Sequence, residues 1–167
     1  MRLATFPLLA LLLAGCAGYH IGPIQPKFMQ GAKTIAVPTF RNDTLVPHLE
    51  VLVANGIIKQ LQQDGTYQVA SEDKADVVLD GSITTIRRHP SRSVIGDYWA
   101  TREFTLSLRL SYKLSRRSTG ETLRTGSVTG ETSFFVGGDV QQEERQAIPL
   151  AVEDAAVRLV SYISEGW

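Results

Sequence analysis

The stretch Arg102-Glu103-Phe104-Thr105-Leu106-Ser107-Leu108-Arg109-Leu110-Ser111-Tyr112-Lys113-Leu114 alternates without a break. Phe104, Leu106, Leu108, Leu110, Tyr112 and Leu114 fall on one side, and Glu103, Thr105, Ser107, Arg109, Ser111 and Lys113 on the other. Successive side chains of a strand point to opposite faces, so this spacing predicts a long antiparallel strand with one buried and one wet face. Ser118-Thr119-Gly120 then reads as a hairpin turn, with Gly120 supplying a positive φ. Leu123 to Val136 returns as a second long strand that Gly126 and Gly130 are expected to bend or bulge.

Working outward, Ala75 to Ile83 reads as a half-buried strand with Val77, Leu79, Ile83 and Thr85 on one face. Arg87 to Trp99 breaks the pattern with Arg87, Arg88, His89, Pro90, Arg92 and Gly96, and is expected to be a long loop. Upstream, Lys33 to Phe40 is rich in β-branched residues, with Pro38 marking a sheet edge or strand end. After the Arg41-Asn42-Asp43-Thr44 turn, Pro47 is placed to open a helix. Leu49, Leu52, Val53, Gly56, Ile57 and Leu61 form its buried stripe until Asp64-Gly65. Gly56 is expected to permit close approach to the sheet. Tyr67 to Ala70 is a short strand. A final helix carries Ile148, Val152, Ala155, Leu159, Val160 and Ile163, starting near Gln142 or at Pro149, with Gly166 just past its end. The order gives an α+β domain: a mainly antiparallel sheet of about four strands with two helices packed on one face.

The chain begins with one cation, Arg2, an apolar run from Leu3 to Leu13 that contains Pro7, and Leu13-Ala14-Gly15-Cys16. The run is far short of the roughly 20 residues of a spanning helix, so residues 1–15 read as a cleaved secretory signal. Residues 16–32 carry Gly18, Gly22, Pro23, Pro26 and Gly31 and read as a tether, whose apolar Tyr19, Ile21, Ile24, Phe28 and Met29 call for part of it to pack. Residues 33–167 form one domain.

Seventeen basic and seventeen acidic residues balance, so no global field attracts polyanions and nucleic acid is not an expected partner. Cys16 is the only cysteine, leaving no internal disulfide. His20, His48 and His89 lie in separate segments without metal-binding spacing. Gly126-Ser127-Val128-Thr129-Gly130 has Val128 where a nucleophile elbow needs its serine, and no phosphate-cradling Gly-rich loop occurs. Neither an enzyme nor a cofactor is expected. Arg87, Arg88 and Arg92 near Tyr98 and Trp99 have the composition for an anionic amphiphile, guanidinium forks for phosphates and aromatic faces for the apolar part; a solvated loop has the same composition.

Leu13-Ala14-Gly15-Cys16 resembles the bacterial lipobox. That resemblance implies that Cys16 takes a diacylglyceryl group and becomes the acylated mature N-terminus. Each buried methylene contributes about 0.8 kcal/mol, so several chains hold a protein to a membrane where one does so marginally. Ala17, rather than Asp, after the cysteine implies the outer membrane. Gly18-Tyr19-His20, Thr34-Ile35-Ala36-Val37-Pro38, Phe40, Asn42-Asp43-Thr44, Pro47, Ala75-Asp76-Val77-Val78-Leu79-Asp80-Gly81, the Thr119-Gly120-Glu121 hairpin and the final helix, in that order, resemble the LptE family. The resemblance implies a lipoprotein within the lumen of an LptD-like β-barrel translocon, assisting lipopolysaccharide delivery without catalytic residues. It further implies that Arg92, with Arg88 beside it, presents a basic group to lipopolysaccharide. A second basic position has no counterpart, since Gly137-Gly138-Asp139-Val140 holds no cation. Lys33 to Thr44 is also similar to lipoproteins of the CsgG and LpoB type, which serve secretion pores or activate peptidoglycan synthases. Ala75 to Gly81 and the absence of a Pro-rich linker favour LptE. Cys16→Ala is expected to release the protein into the soluble periplasm on fractionation; the variant still sedimenting with the outer membrane would sink the anchor.

Overall fold

A computed structural model of the chain describes residues 25–92 and 102–166, and only the backbone at Arg92 and Arg102. The signal segment, Cys16, the tether up to Ile24, Tyr98 and Trp99 lie outside the described residues. The elements are β1 (Thr34–Ala36), β2 (Arg41–Asn42), α1 (Leu49–Asp64), β3 (Gln68–Val69), β4 (Val77–Arg92), β5 (Arg102–Arg116), β6 (Thr122–Val136) and α2 (Val140–Glu165). The class is α+β, and the sheet has six strands rather than about four. It runs β3-β1-β4-β5-β6, with β2 alongside β4 beyond β1. β4–β5 and β5–β6 are antiparallel, while β1 and β2 pair with β4, and β1 with β3, in parallel. β1 and β3 fall within the expected strands Lys33 to Phe40 and Tyr67 to Ala70, whereas β2 falls in the expected Arg41-Asn42-Asp43-Thr44 turn; strands of two or three residues carry no alternation from which their parallel pairing could be read.

The alternation of β5 is realised: Leu106, Leu108, Leu110 and Leu114 are fully buried and Tyr112 nearly so. Opposite them on β6 the same face carries Phe134, Thr132, Gly130, Val128 and Gly126. The two glycines do not bulge the strand, because the β5–β6 register is unbroken from Val136 to Arg124. They clear space instead. A Cβ on Gly130 would overlap the Ala151 carbonyl oxygen and the Ala155 amide and stand 2.6 Å from the Ala155 Cβ, and one on Gly126 would stand 2.7 Å from the Tyr112 hydroxyl. Gly56 works the same way, but toward α2: its Cβ would lie 2.9 Å from Val152 Cγ1, so the close neighbour is a helix and not the sheet.

Both helices cover one face. α1 begins at Leu49, two residues later than a Pro47 start, behind His48 at a left-handed φ of 62°, a conformation uncommon for a non-glycine residue. It ends at Gly65 (φ 73°), whose N–H bonds the Leu61 carbonyl. α2 is continuous from Val140 through Pro149, which removes one ladder donor. Asp139 caps it by accepting from the Gln141 and Gln142 N–H groups at 2.8 and 3.4 Å. Ser164 donates to Asp64 at 2.9 Å and joins the helix ends. Residues 25–32 pack too: Met29 and Ala32 are fully buried, and Arg124 lies 5.4 Å over the Phe28 ring and 5.1 Å over Tyr162. At the same end Asp76 accepts from the Lys33 and Thr34 N–H groups and the Thr34 hydroxyl at 2.9–3.0 Å, which holds its carboxyl below the usual range and ties β1 to β4.

Overpacking at a backbone contact that cannot move typically costs 1–3 kcal/mol. Gly130→Ala is therefore expected to lower stability by about 2–3 kcal/mol in urea unfolding, whereas Gly137→Ala, with open space around its Cβ position, should stay within about 0.5 kcal/mol.

Candidate functional site

Arg87 to Arg92 are not in a loop. β4 continues to Arg92 and pairs with β5 throughout, Arg88 opposite Leu106 and Arg92 opposite Glu103. Polar and charged residues hid this extension, because the strand is half solvated here. β2 covers the other edge of β4 only as far as Ile83, whose carbonyl accepts from the Asp43 N–H at 3.0 Å. Beyond that point the edge is free, which is where a sheet tolerates Pro90. A register shift between Ile83 and Thr85 then exchanges the faces. Thr85 leaves the core face that strict alternation gives it and stands opposite Arg109, while Ile86, Arg88 and Pro90 join the helix side.

Because of that shift, Arg87 and Arg88 do not converge. Arg87 lies opposite Ser107 on the open face. Arg88 lies on the helix side, its guanidinium 5.4 Å above the Phe104 ring, and its Nη1 donates to the Glu144 carboxylate on the first turns of α2. Phe104 in turn stacks with Phe134 at 5.9 Å between centroids. Arg92 ends the strand, and its side chain lies outside the described residues, as does Cys16. The Gly137-Gly138-Asp139 segment that lacks a cation spends its acid on the α2 cap; the nearest cation downstream is Arg145.

Beside Glu144, residues at the starts of α1 and α2 line an open groove of about 840 Å³ that sequence patterning does not reveal. Leu45, Val46, Leu52, Ile148 and Pro149 supply its apolar surface and His48 and Arg145 its basic groups. The turn leading into it is set by Asn42, whose amide donates to the Val46 carbonyl and to Glu50 at 2.8 and 2.9 Å and whose oxygen accepts from the Thr44 N–H and hydroxyl. This leaves Leu45 fully exposed.

Among the described residues no helix covers the opposite face of the sheet, which buries only the small cluster of Ala36, Ala75 and Val78 at one end. Rows of residues cross it from β4 to β6: Asp80, Lys113 and Thr125; Ser82, Ser111 and Ser127; Thr85, Arg109 and Thr129; Arg87, Ser107 and Glu131; His89, Thr105 and Ser133. All fifteen are polar, over strands about 50 Å long. Among the described residues no group of acids, histidines and cysteines is arranged to hold a metal ion, and no helix is long and apolar enough to cross a membrane.

A family model described as LptE, lipopolysaccharide-assembly, matches residues 32–163. The chain belongs to the LptE family. Among curated protein sequences nothing matches it. Solved structures share the LptE-family chain's fold at low identity. A minor lipoprotein from Acinetobacter baumannii is 15% identical over 80% of this chain and 94% of its own, with a TM-score of 0.57. A protein from Xanthomonas campestris is 14% identical over 83% and 87%, with a TM-score of 0.52.

The Arg88–Glu144 pair is about one-third exposed on both sides, so solvent screens it. A double-mutant cycle with Arg88→Ala and Glu144→Ala should return a coupling energy below about 1 kcal/mol; a coupling above about 2 kcal/mol would mark the pair as a structural tie rather than an exchangeable contact.

Proposed function

We propose that this LptE-family chain is an outer-membrane lipoprotein, anchored by acyl chains on Cys16, that stands inside a β-barrel translocon of the LptD type. There it assists lipopolysaccharide delivery to the cell surface without catalysing a reaction. The observation that carries the reading is the face of β4, β5 and β6 turned away from the helices, polar in every row from Asp80 to Ser133, with the exposed Phe135 beyond them. The lumen of an outer-membrane barrel is polar as well, so such a face can be buried there without stranding apolar surface in water. An uncovered sheet facing a water-filled space needs no second helix layer.

The two ends of the sheet have different parts in this arrangement. The chain enters the domain at Gln25, where Pro26 lies against Gly166, so the acylated segment joins the end that holds Asp76 and the β5–β6 hairpin. Arg88 and Arg92 lie at the other end. Arg88 meets a lipopolysaccharide phosphate by giving up Glu144, a carboxylate replaced by a phosphate on the same guanidinium fork, with Phe104 beneath it. Arg92, the last residue of β4, adds a second positive charge at that end of the sheet. The helix layer, with Val51 exposed on α1, faces away from the wall that the sheet contacts.

A photo-cross-linking residue at Ser111 of the full-length lipoprotein should join it in cells to a large outer-membrane β-barrel, and one at Val51 should not. A cross-link to a peptidoglycan synthase, or to no barrel from either position, would overturn the reading. In the same purified complex Arg88→Glu with Arg92→Glu should weaken lipopolysaccharide binding, with a smaller difference from wild type at high salt; equal binding at all salt concentrations would remove both arginines from the ligand site.

A further inference from the structure

The sheet's two long edges are treated differently. The free edge of β4 beyond Ile83 is broken by a register shift at Thr84, by Pro90, by a second shift after it, and by Arg87, Arg88 and His89. These are the devices by which proteins prevent unwanted strand addition. β6, which ends the sheet on the other side, lacks the shifts and the proline: from Arg124 to Val136 it runs without a bulge, and its charged residues are Arg124 and Glu131.

Its outward-pointing groups can be assigned. The Glu131 N–H bonds the Asp154 carboxylate of α2 at 2.8 Å, so it points away from β5. In an antiparallel ladder every second residue does the same. With the register unbroken, Thr125, Ser127 and Thr129 therefore also turn their N–H and C=O groups outward. Asp154, itself bonded to Arg158 at 2.8 Å, closes the edge at Glu131, and among the described residues nothing bonds the outward groups of the three residues before it. Alongside them is a shallow cavity of about 500 Å³ lined by Val128, Thr129, Val157, Arg158, Ser161 and Tyr162. Thr125 and Ser127 are exposed.

We propose that the Thr125–Thr129 edge of β6 is a docking site for an extended segment of a partner polypeptide, which adds as a further strand and places an apolar side chain in the cavity between Val128 and Val157. Main-chain bonds to the three open residues give the affinity, and the cavity selects the segment, since alternate side chains of an added strand face α2. A second copy of β6 is a poor occupant. Its residues for that face are Gly126, Val128 and Gly130, too small to fill the space. The site is separate from the open sheet face and from Arg88, and does not depend on the barrel reading.

The test uses the full-length lipoprotein in detergent and a nine-residue peptide in which threonine and leucine alternate between terminal lysines. Residue-resolved hydrogen exchange should slow at least tenfold at the Thr125, Ser127 and Thr129 amides on saturation, with Glu131, already bonded, unchanged. Ser127→Pro removes an outward donor and no bond to β5, and Ser161→Trp fills the cavity; each should weaken binding at least tenfold while β5 amides exchange as in wild type. An all-threonine peptide of the same length should bind at least tenfold more weakly. No protection at the three amides, equal binding of the two peptides, protection on the β4 edge instead, or protection that grows with protein concentration in the absence of peptide, which would seat a second copy there, would each overturn the assignment.

Discussion

The seating of α2 directly on the backbone of β6 at Gly130 is the contact on which the rest of the architecture depends. Ala151 and Ala155, one turn apart, occupy the space that a side chain on β6 would take. Small residues on both partners bring helix and strand close enough for Val152, Ala156, Leu159 and Val160 to be buried as well. Val152 also meets Gly56 of α1. One helix thus fixes the position of the other, and a single apolar layer is sealed between two helices and three long strands. With that layer closed on one side only, the polar face of the sheet follows as a matter of composition: every second residue of β5 is hydrophilic, and among the described residues no helix covers it.

Legibility tracked the length of the repeating pattern. Six consecutive alternations made β5 readable, and its face assignment holds residue for residue in the structure. The helices were readable for the same reason, through stripes three and four residues apart. β1, β2 and β3 are too short to show a period, and their parallel pairing rests on tertiary context: the Asp76 carboxylate bridging Lys33 and Thr34 across more than forty residues has no local signature. The glycines of β6 illustrate a different limit. A sequence marks where a side chain is missing, but whether the gap serves a bend or a neighbour depends on what lies opposite, and here it is α2 and the Tyr112 ring.

The arginine-rich stretch was the least legible part of the candidate site. Consecutive charged residues and a proline read as a loop, yet β5 supplies ladder partners to that stretch of β4, and the free edge accepts Pro90 without a lost bond. One register shift at Thr84 then decides which arginine does what. Without it Arg87 rather than Arg88 would share the face of Leu106, and the Glu144 carboxylate and Phe104 ring would have no guanidinium between them. The groove beside them was invisible for another reason. It is made by residues nearly a hundred positions apart, brought together because α1 and α2 start at the same end of the sheet.

A long sheet covered on one face has two kinds of exposed polarity, and they make different demands on a neighbour. The open face offers side chains, rows of serine and threonine with a few charges, which water or any polar wall can satisfy without a fixed register. The β6 edge offers main-chain donors and acceptors at a fixed spacing, which only another backbone matches in full. Asp154 shows the difference in one contact: a side chain reaches the edge and satisfies a single N–H, and the groups to either side of it stay open. The two surfaces meet along β6 at right angles, so an occupant of one does not obstruct the other. A domain built this way can press its face against a polar wall and still hold an extended segment along its rim, which a sheet with helices on both faces could not do.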